Sequence, residues 1–360
     1  MTFAAHWFVA CRSERLRDRP LAATLLGVPL VLFRGAGGRP AALEDRCPHR
    51  NAPLSAGRLR RGELECAYHG WRFDGGGACL AVPGLGPAAR GAEGQADEPG
   101  PERPPVGSHT RATAFPCREQ DGLVWVFGRS GVDPGSAPFR FPHLGDPGYT
   151  TVRSELEVRS TLFRAVENVL DVPHTAFLHG GLFRTRATRG DVEVVVRRFA
   201  DRCEAEYLGE PRPEGLAGRM LAPAGGVVTH VDRFLLPSVA QVEYRLGERS
   251  HVVVTTALTP VDDVRTRLFS AATFRLPVPG WLVRPVLGPV AARILRQDAR
   301  MLALQTDVVQ RFGGERFATT ELDVLGPQIR RLLAQAERAL APASPSRDAP
   351  EHEHRVRMRL

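Results

Sequence analysis

The sequence contains no lysine and few cysteines. Its 48 basic residues are therefore all arginines, spread along the chain, and this pattern argues against nucleic-acid binding despite the net charge of +8. Six cysteines in 360 residues are too few for a disulfide framework, and no secretory signal peptide is evident. We therefore expect a cytoplasmic protein.

Long apolar runs are also missing. The nearest approach to a membrane span is residues 281–295, where arginines and prolines interrupt the run, so we expect a packed helix there and no transmembrane segment. No G-x-G-x-x-G follows a predicted strand, and no C-x4-C-x2-C ferredoxin pattern occurs. Any oxidation of NAD(P)H must then take place on another protein.

Two short pairs of cysteine and histidine stand out in the first quarter of the chain. Cys47 and His49 form C-x-H, and Cys66 and His69 form C-x-x-H. Two thiolates and two imidazoles suit a Rieske [2Fe–2S] cluster, in which the cysteines hold one iron and the histidines the other. A zinc site uses the same residue types, but its motifs usually place like ligands together. Zinc remains the alternative interpretation.

A second metal-binding pattern follows in mid-chain. Asn168, Asp171, His174 and His179 have the spacing N-x2-D-x2-H-x4-H. Two imidazoles and one carboxylate form the facial triad of non-haem iron oxygenases. The two histidines are slightly more than one helical turn apart, so both reach one metal if the helix loosens near Pro173. Asp171 could supply the carboxylate, and a helix with two ordinary histidines is the plainer alternative.

The two motifs together resemble the Rieske non-haem iron oxygenases, the aromatic ring-hydroxylating α-subunit family. The N-terminal match begins at residues 6–9, passes through both Cys/His pairs and reaches residues 123–127. The spacing N-x2-D and the short chain resemble the homotrimeric monooxygenase and demethylase type. Dihydroxylating relatives usually have one more residue between these two positions.

The resemblance assigns further roles. The third iron ligand would be Asp298, which lies in a late segment from Gln297 to Gln305. Asp171 would hydrogen-bond a Rieske histidine and an iron histidine across neighbouring subunits of a head-to-tail trimer, and Asn168 would lie near the iron. The weaker candidates for the carboxylate ligand are Asp262, Asp263 and Asp307.

The expected fold class is α+β. An all-β Rieske domain would occupy residues 1–133 and include a flexible loop at 84–109, and a proline-rich linker would follow at 134–148. The catalytic domain, at 149–341, would contain an antiparallel β-sheet flanked by helices, of the helix-grip or START-like type. A disordered tail is predicted for 342–360. Predicted elements include strands at 30–33, 122–127, 192–197, 227–234, 240–246 and 251–258, and an amphipathic helix at 323–341.

The resemblance implies the terminal oxygenase component of a Rieske system. It would use the [2Fe–2S] cluster and mononuclear Fe(II) for O2-dependent hydroxylation or O- or N-demethylation of a small aromatic or secondary-metabolite substrate. Electrons would come from a separate reductase, with or without a ferredoxin. A desaturase or oxidative cyclase of the same family, and a Rieske electron carrier without catalysis, remain open. Weak candidates for the substrate pocket, each better explained as a core or surface residue, are Phe234, Tyr244, His251 and Phe274.

Overall fold

A computed structural model describes residues 5–83, 110–179, 190–210, 228–338 and 349–359 of the chain. The loop predicted at 84–109 lies outside these residues. The chain divides into two units between Arg140 and Phe141, a position inside the segment predicted as a linker.

The N-terminal unit consists of short strands. They are β1 (Trp7–Arg12), β2 (Leu21–Leu25), β3 (Val28–Arg34), β4 (Pro40–Glu44), β5 (Arg58–Arg60), β6 (Glu63–Glu65), β7 (Arg72–Phe73), β8 (Cys79–Ala81), β9 (Ala114–Phe115), β10 (Cys117–Gln120) and β11 (Leu123–Phe127). Among the residues described here, these strands form three antiparallel sheets, in the orders β1-β11-β10, β2-β3-β4-β9 and β5-β6-β7-β8. The strands predicted at 30–33 and 122–127 are confirmed as parts of β3 and β11.

The core of this unit positions both cysteine loops. Phe33, Leu54 and Phe73 are fully buried in one apolar cluster, and this cluster also includes Cys47 and Cys66. Because the cluster draws on several sheets, burial of its side chains fixes the two cysteine loops against the same core.

The C-terminal unit contains one large antiparallel sheet. Its strands are β12 (Thr150–Val158), β13 (Asp191–Arg198), β14 (Arg202–Leu208), β15 (Val228–Leu235), β16 (Val239–Leu246), β17 (Ser250–Asp262), β18 (Arg265–Arg275) and β19 (His352–Arg359). The order of the eight strands is β12-β18-β17-β16-β15-β14-β13-β19. All four strands predicted from the β-branched pattern of this part of the chain are confirmed.

In the described part of this unit, four helices accompany the sheet. They are α1 (Leu162–Leu170), α2 (Thr175–Leu178), α3 (Gly280–Arg311) and α4 (Gly326–Arg338). The Thr161 side chain caps α1 by accepting a hydrogen bond from the Arg164 N–H, and α1 packs against β15, β16 and β17. Within the described residues, no helix is long and apolar enough to cross a bilayer.

The predicted disordered tail is wrong for residues 352–359. They form β19, which pairs antiparallel with β13 at the edge of the sheet. Val356 and Met358, two residues apart, are buried on one face, while Arg355 bonds Glu193 across the strands. The alternation of apolar and polar residues is obscured in the sequence by the many charged residues. Their side chains pair with those of the neighbouring strand.

Candidate metal centres

The two Cys/His pairs lie in two loops of the same construction. In the first, the Cys47 N–H donates to the Ala52 carbonyl at 2.8 Å, and the Asn51 N–H donates back to the Cys47 carbonyl. In the second, the Cys66 N–H donates to the Trp71 carbonyl, also at 2.8 Å, and the Gly70 N–H returns to Cys66. Each loop thus closes on its own cysteine and turns its histidine toward the other loop.

Left-handed backbone closes both loops. Asn51 has φ 60° and Gly70 has φ 70°, values that asparagine and glycine tolerate better than most residues. The sequence therefore places a suitable residue at the equivalent position of each loop, four residues after the cysteine.

The side chains of the two loops converge. The rings of His49 and His69 have centroids 4.6 Å apart, and Trp71 stacks on His49 at 4.7 Å with nearly parallel planes. Cys47 and Cys66 are both 2% exposed. Burial raises the pKa of the Cys47 thiol to about 11, even though the backbone N–H groups of His49 and Arg50 donate to its sulfur.

This donor set fits a Rieske cluster. Two buried sulfurs and two imidazoles come from the same pair of loops, and His49 Nδ1 is buried without a hydrogen-bond partner in the described part of the chain. An orphaned imidazole nitrogen beside thiols is expected where a metal takes the lone pair. The remaining cysteines, Cys11, Cys79, Cys117 and Cys203, form no disulfide, and three of them are buried as core residues.

The second centre is built around the very short helix α2. The first helix ends at Leu170, and Pro173 follows in a turn. His174 precedes α2 as its N-cap and His179 follows it as its C-cap, so their Nε2 atoms lie only 3.3 Å apart. The helix does not merely loosen near Pro173, as the spacing predicted, but ends before it.

Asp298 completes the group from the middle of α3. Its Oδ1 lies 3.0 Å from His179 Nε2 and 3.5 Å from His174 Nε2. One ligand atom from each of the three residues lies within 4.8 Å of the others, which is close enough for one metal ion. Two imidazole nitrogens and a carboxylate oxygen are the donors of a facial triad that leaves positions open. The donor chemistry therefore fits ferrous iron.

Gln297 is a contributor that the sequence reasoning missed. Its Oε1 accepts a hydrogen bond from His179 Nδ1 at 3.0 Å. Because an amide oxygen only accepts, His179 carries its proton on Nδ1 and presents a lone pair on Nε2 toward Asp298. The sequence signal for this role was an amide side chain directly before the candidate ligand Asp298 on the same helix.

Asp171 lies on the other side of the histidine pair. As the C-cap of α1 it has Oδ2 3.4 Å from His174 Nδ1, whereas Asp298 faces the opposite ring nitrogen. Burial lowers the pKa of His174, but the Asp171 and Asp298 carboxylates outweigh it and raise that pKa to about 9. Asp171 is thus placed behind the imidazole and outside the group of three ligand atoms.

Two of the three weaker carboxylate candidates are occupied elsewhere. Asp262 pairs with Arg265 at 2.7 Å between β17 and β18, and Asp307 pairs with Arg159. His251 bonds Tyr149 and Glu243, and both Phe234 and Phe274 are buried core residues. Tyr244 stacks on His230 with ring centroids 4.0 Å apart.

A cavity of about 710 Å³ opens beside His174 and Asp171. Asn168, Glu167 and Tyr207 contribute to its wall, together with apolar side chains from the segment before α4. Burial and the nearby Asp171 carboxylate raise the pKa of Glu167 to about 7. The cavity therefore combines an apolar lining with a small set of ionisable groups beside the candidate metal ligands, as expected of a ligand site.

Two family profiles match the sequence. Residues 6–92 match the Rieske [2Fe-2S] domain, and residues 158–339, about half of the chain, match the C-terminal domain of vanillate O-demethylase oxygenase. The chain belongs to the Rieske non-haem iron oxygenase family. Membership implies a Rieske cluster and a catalytic mononuclear iron, in agreement with the donor sets of the two centres.

The chain has relatives that support this assignment. It is 38% identical over 200 residues to the oxygenase component of dicamba O-demethylase from Stenotrophomonas maltophilia, covering 54% of each chain, so it spans about half the length of that relative. It is 25% identical to the vanillate O-demethylase oxygenase subunit from a Pseudomonas strain, over 95% of this chain and 96% of that one.

The fold agrees with that of a solved Rieske oxygenase. The crystal structure of dicamba monooxygenase bound to dicamba matches with a TM-score of 0.76 and 26% identity, over 93% of this chain and 97% of that chain. The predicted α+β fold class, with an N-terminal Rieske β domain and a C-terminal antiparallel sheet, is confirmed.

Proposed function

We propose that the chain is the terminal oxygenase of a Rieske system and that it monooxygenates a small organic substrate, by hydroxylation or demethylation. The observation that carries the proposal is the convergence of His174, His179 and Asp298 beside a cavity. Relatives are named as O-demethylases of dicamba and vanillate, which supports a methyl ether as one substrate type.

Each iron centre would be held by the residues that converge on it. Cys47, His49, Cys66 and His69 hold the cluster, and His174, His179 and Asp298 hold the mononuclear iron. When bound, the cluster supplies single electrons and the ferrous iron supplies a site for O2. In a demethylation, the ether R–O–CH3, O2, two electrons and two protons yield R–OH, formaldehyde and water.

The protein residues set the conditions for this chemistry. Gln297 keeps the proton of His179 on Nδ1, so that Nε2 stays available as a ligand. Asp171 stands behind His174 and is the group through which an electron would reach the mononuclear iron from a Rieske histidine of a neighbouring subunit. Asn168, on the cavity wall, would orient water or the approaching O2.

The electron supply would be external. Relatives are named as oxygenase components or subunits, which implies separate electron-transfer partners. We propose a separate reductase, with or without a ferredoxin, and a homotrimer in which Asp171 serves the neighbouring subunit. A cytoplasmic location stays a prediction.

A single-turnover experiment tests the proposal. Iron-replete protein, chemically reduced, is mixed with ¹⁸O2 and a panel of aromatic methyl ethers and N-methyl compounds, and mass spectrometry follows the products. We expect ¹⁸O in a hydroxylated product, or formaldehyde with loss of one methyl group. A product that lacks two hydrogens and carries no label would favour the desaturase or cyclase. No turnover of any compound by protein with a full iron complement would contradict the proposal.

A further inference from the structure

A buried charged cluster lies on the inner side of the sheet, apart from the candidate iron ligands. His230 on β15 is completely buried, and its two ring nitrogens contact two carboxylates. Nδ1 lies 2.6 Å from Glu210 Oε2, and Nε2 lies 2.9 Å from Asp232 Oδ1. Glu210 and Asp232 are themselves 8% and 1% exposed. Three ionisable side chains are thus removed from water together.

Two tyrosines enclose the imidazole. Tyr207 on β14 stacks on one side at 4.4 Å between centroids, and Tyr244 on β16 stacks at 4.0 Å. The strand register explains this sandwich, because His230 is the cross-strand partner of both tyrosines. The arrangement is therefore built into three neighbouring strands.

The cluster is negative overall. Burial lowers the pKa of His230, but the two carboxylates outweigh it and raise that pKa to about 9. As an imidazolium it donates from both nitrogens and balances only one of the two acidic side chains. Charge that is kept away from water in this way acts strongly on neighbouring groups.

One acceptor in the cluster is unused. Asp232 Oδ2 is buried and has no hydrogen-bond partner within the described residues. An unpaired buried carboxylate oxygen is costly and marks a place where a donor is expected. The missing partner must be an N–H or O–H group, or a cation.

Tyr207 connects the cluster to the cavity. The same side chain that stacks on His230 lines the cavity beside Asp171 and His174. A tyrosine ring in front of buried negative charge favours a cation on its outer face, through both the ring and the field behind it. A carboxylate in that position would be repelled by the cluster. Two arginines also line the cavity, but Arg164 is paired with Glu315, and Arg330 stacks on the Phe163 and Phe317 rings.

We propose that Glu210, His230 and Asp232, acting through Tyr207, select a substrate that carries a protonated amine over one that carries a carboxylate. This inference rests on the proposed function, since it names the substrate class of the same cavity. This subsite, formed by Glu210, His230 and Asp232 behind Tyr207, affects substrate binding alone, so it can be tested without turnover.

Binding of three probes of one shape tests the subsite. The probes are 4-methoxybenzylamine (cationic at pH 7), 4-methoxytoluene (neutral) and 4-methoxybenzoate (anionic). Calorimetry is performed without O2 on the full chain loaded with cluster and iron. We expect the amine to bind at least about tenfold more tightly than the benzoate, with the neutral probe between them. Equal or tighter binding of the benzoate, or no measurable binding of the amine at millimolar concentration, would overturn the proposal.

Variants locate the source of the selectivity. Asp232→Asn and Glu210→Gln each remove one buried carboxylate and should reduce the preference for the amine about tenfold. The matched control is Glu206→Gln, since Glu206 neighbours Tyr207 on β14 but bonds Arg197 instead of the cluster. Circular dichroism and cluster absorbance verify folding, and the wild-type probe series decides even if a variant fails to fold. An equal loss of selectivity in the Glu206→Gln protein would also overturn the proposal.

Turnover measured separately distinguishes the two proposals. Amine selectivity without any O2-dependent product would leave the subsite intact and contradict the oxygenase. Oxygenation of the benzoate with no preference for binding the amine would support the oxygenase and contradict the subsite.

Discussion

Gln297 Oε1 accepts a hydrogen bond from His179 Nδ1 at 3.0 Å, one residue before Asp298. Neighbouring residues of α3 thus act on the same imidazole from two directions. Gln297 fixes the tautomer, and Asp298 lies 3.0 Å from the other ring nitrogen. Helix α3 therefore supplies the third iron ligand, Asp298, and also orients the second, His179.

Gln297→Ala should weaken iron binding without affecting the cluster. Loss of a partner behind a metal-binding histidine typically lowers metal affinity about 10- to 100-fold. Competition with a chelator measures this affinity, and the visible absorbance of the cluster measures the other centre. Gln310→Ala, at the far end of the same helix, is the control. Equal affinities in the two variants would show that the hydrogen bond does not tune the site.

His179→Ala should remove the mononuclear iron and leave the cluster in place. His179 is 2% exposed and is close to both other members of the triad. Metal analysis should find about three irons per chain in the wild type, two in the cluster and one at the triad, and about two in the variant. Retention of the third iron would contradict the assignment of this histidine.

Gly70→Ala should make the cluster labile. Gly70 has φ 70°, and an added Cβ would lie 3.1 Å from Pro83. We expect a loss of about 1–2 kcal/mol in the free energy of unfolding, because an L-residue is strained in the left-handed region. Gly131→Ala is a matched control, with φ 69° and open space around the added carbon.

Both glycine variants should lose stability, but only Gly70→Ala should shorten the half-life of the cluster absorbance in the presence of a chelator. The same half-life in both variants would mean that the Cys66 loop tolerates the strain.

Glu167→Gln should stabilise the protein at neutral and alkaline pH but not in acid. Burial and the Asp171, Asp323 and Glu315 carboxylates raise the pKa of Glu167 to about 7, against the opposing charge of Arg330. The folded protein therefore holds this proton more tightly than the unfolded chain does. The stability contributed by the bound proton is fully present below the unfolded pKa and is lost as pH rises through about 7.

Glutamine stays neutral, so the variant should be more stable than the wild type by about 1–2 kcal/mol at pH 8, after discounting for solvent screening, and nearly equal to it at about pH 4. Urea unfolding at the two pH values measures the difference. Glu321→Gln, an exposed change before α4, should show no such pH dependence. A difference independent of pH would refute the account of Glu167.

Local motifs were the most predictable part of the molecule. The Cys/His pairs and the two mid-chain histidines are close in sequence, so spacing alone brought their donors together. Asp298 lies on a helix far along the chain, and only the family resemblance pointed to it. Spacing carries no information about such a distant partner, since the fold brings the two segments together.

The remaining features depend on strand register. The sandwich of Tyr207, His230 and Tyr244 exists because three strands align these residues, and no single segment reveals that alignment. A partial signal was present, because His230 and Asp232 occupy the inward positions of β15 between Val228 and Phe234. Polar residues at positions of an apolar pattern merit attention for this reason.

The central claim is that electrons stored in the cluster are used for O2 chemistry at the triad. Stopped-flow absorbance of the reduced cluster, after mixing with O2 and a panel compound that turns over, tests it most directly in the wild type and in Asp298→Ala. The account predicts rapid oxidation of the cluster with product formation in the wild type, and a cluster that stays reduced without product in the variant. Equal rates of cluster oxidation and equal product in the two proteins would contradict it.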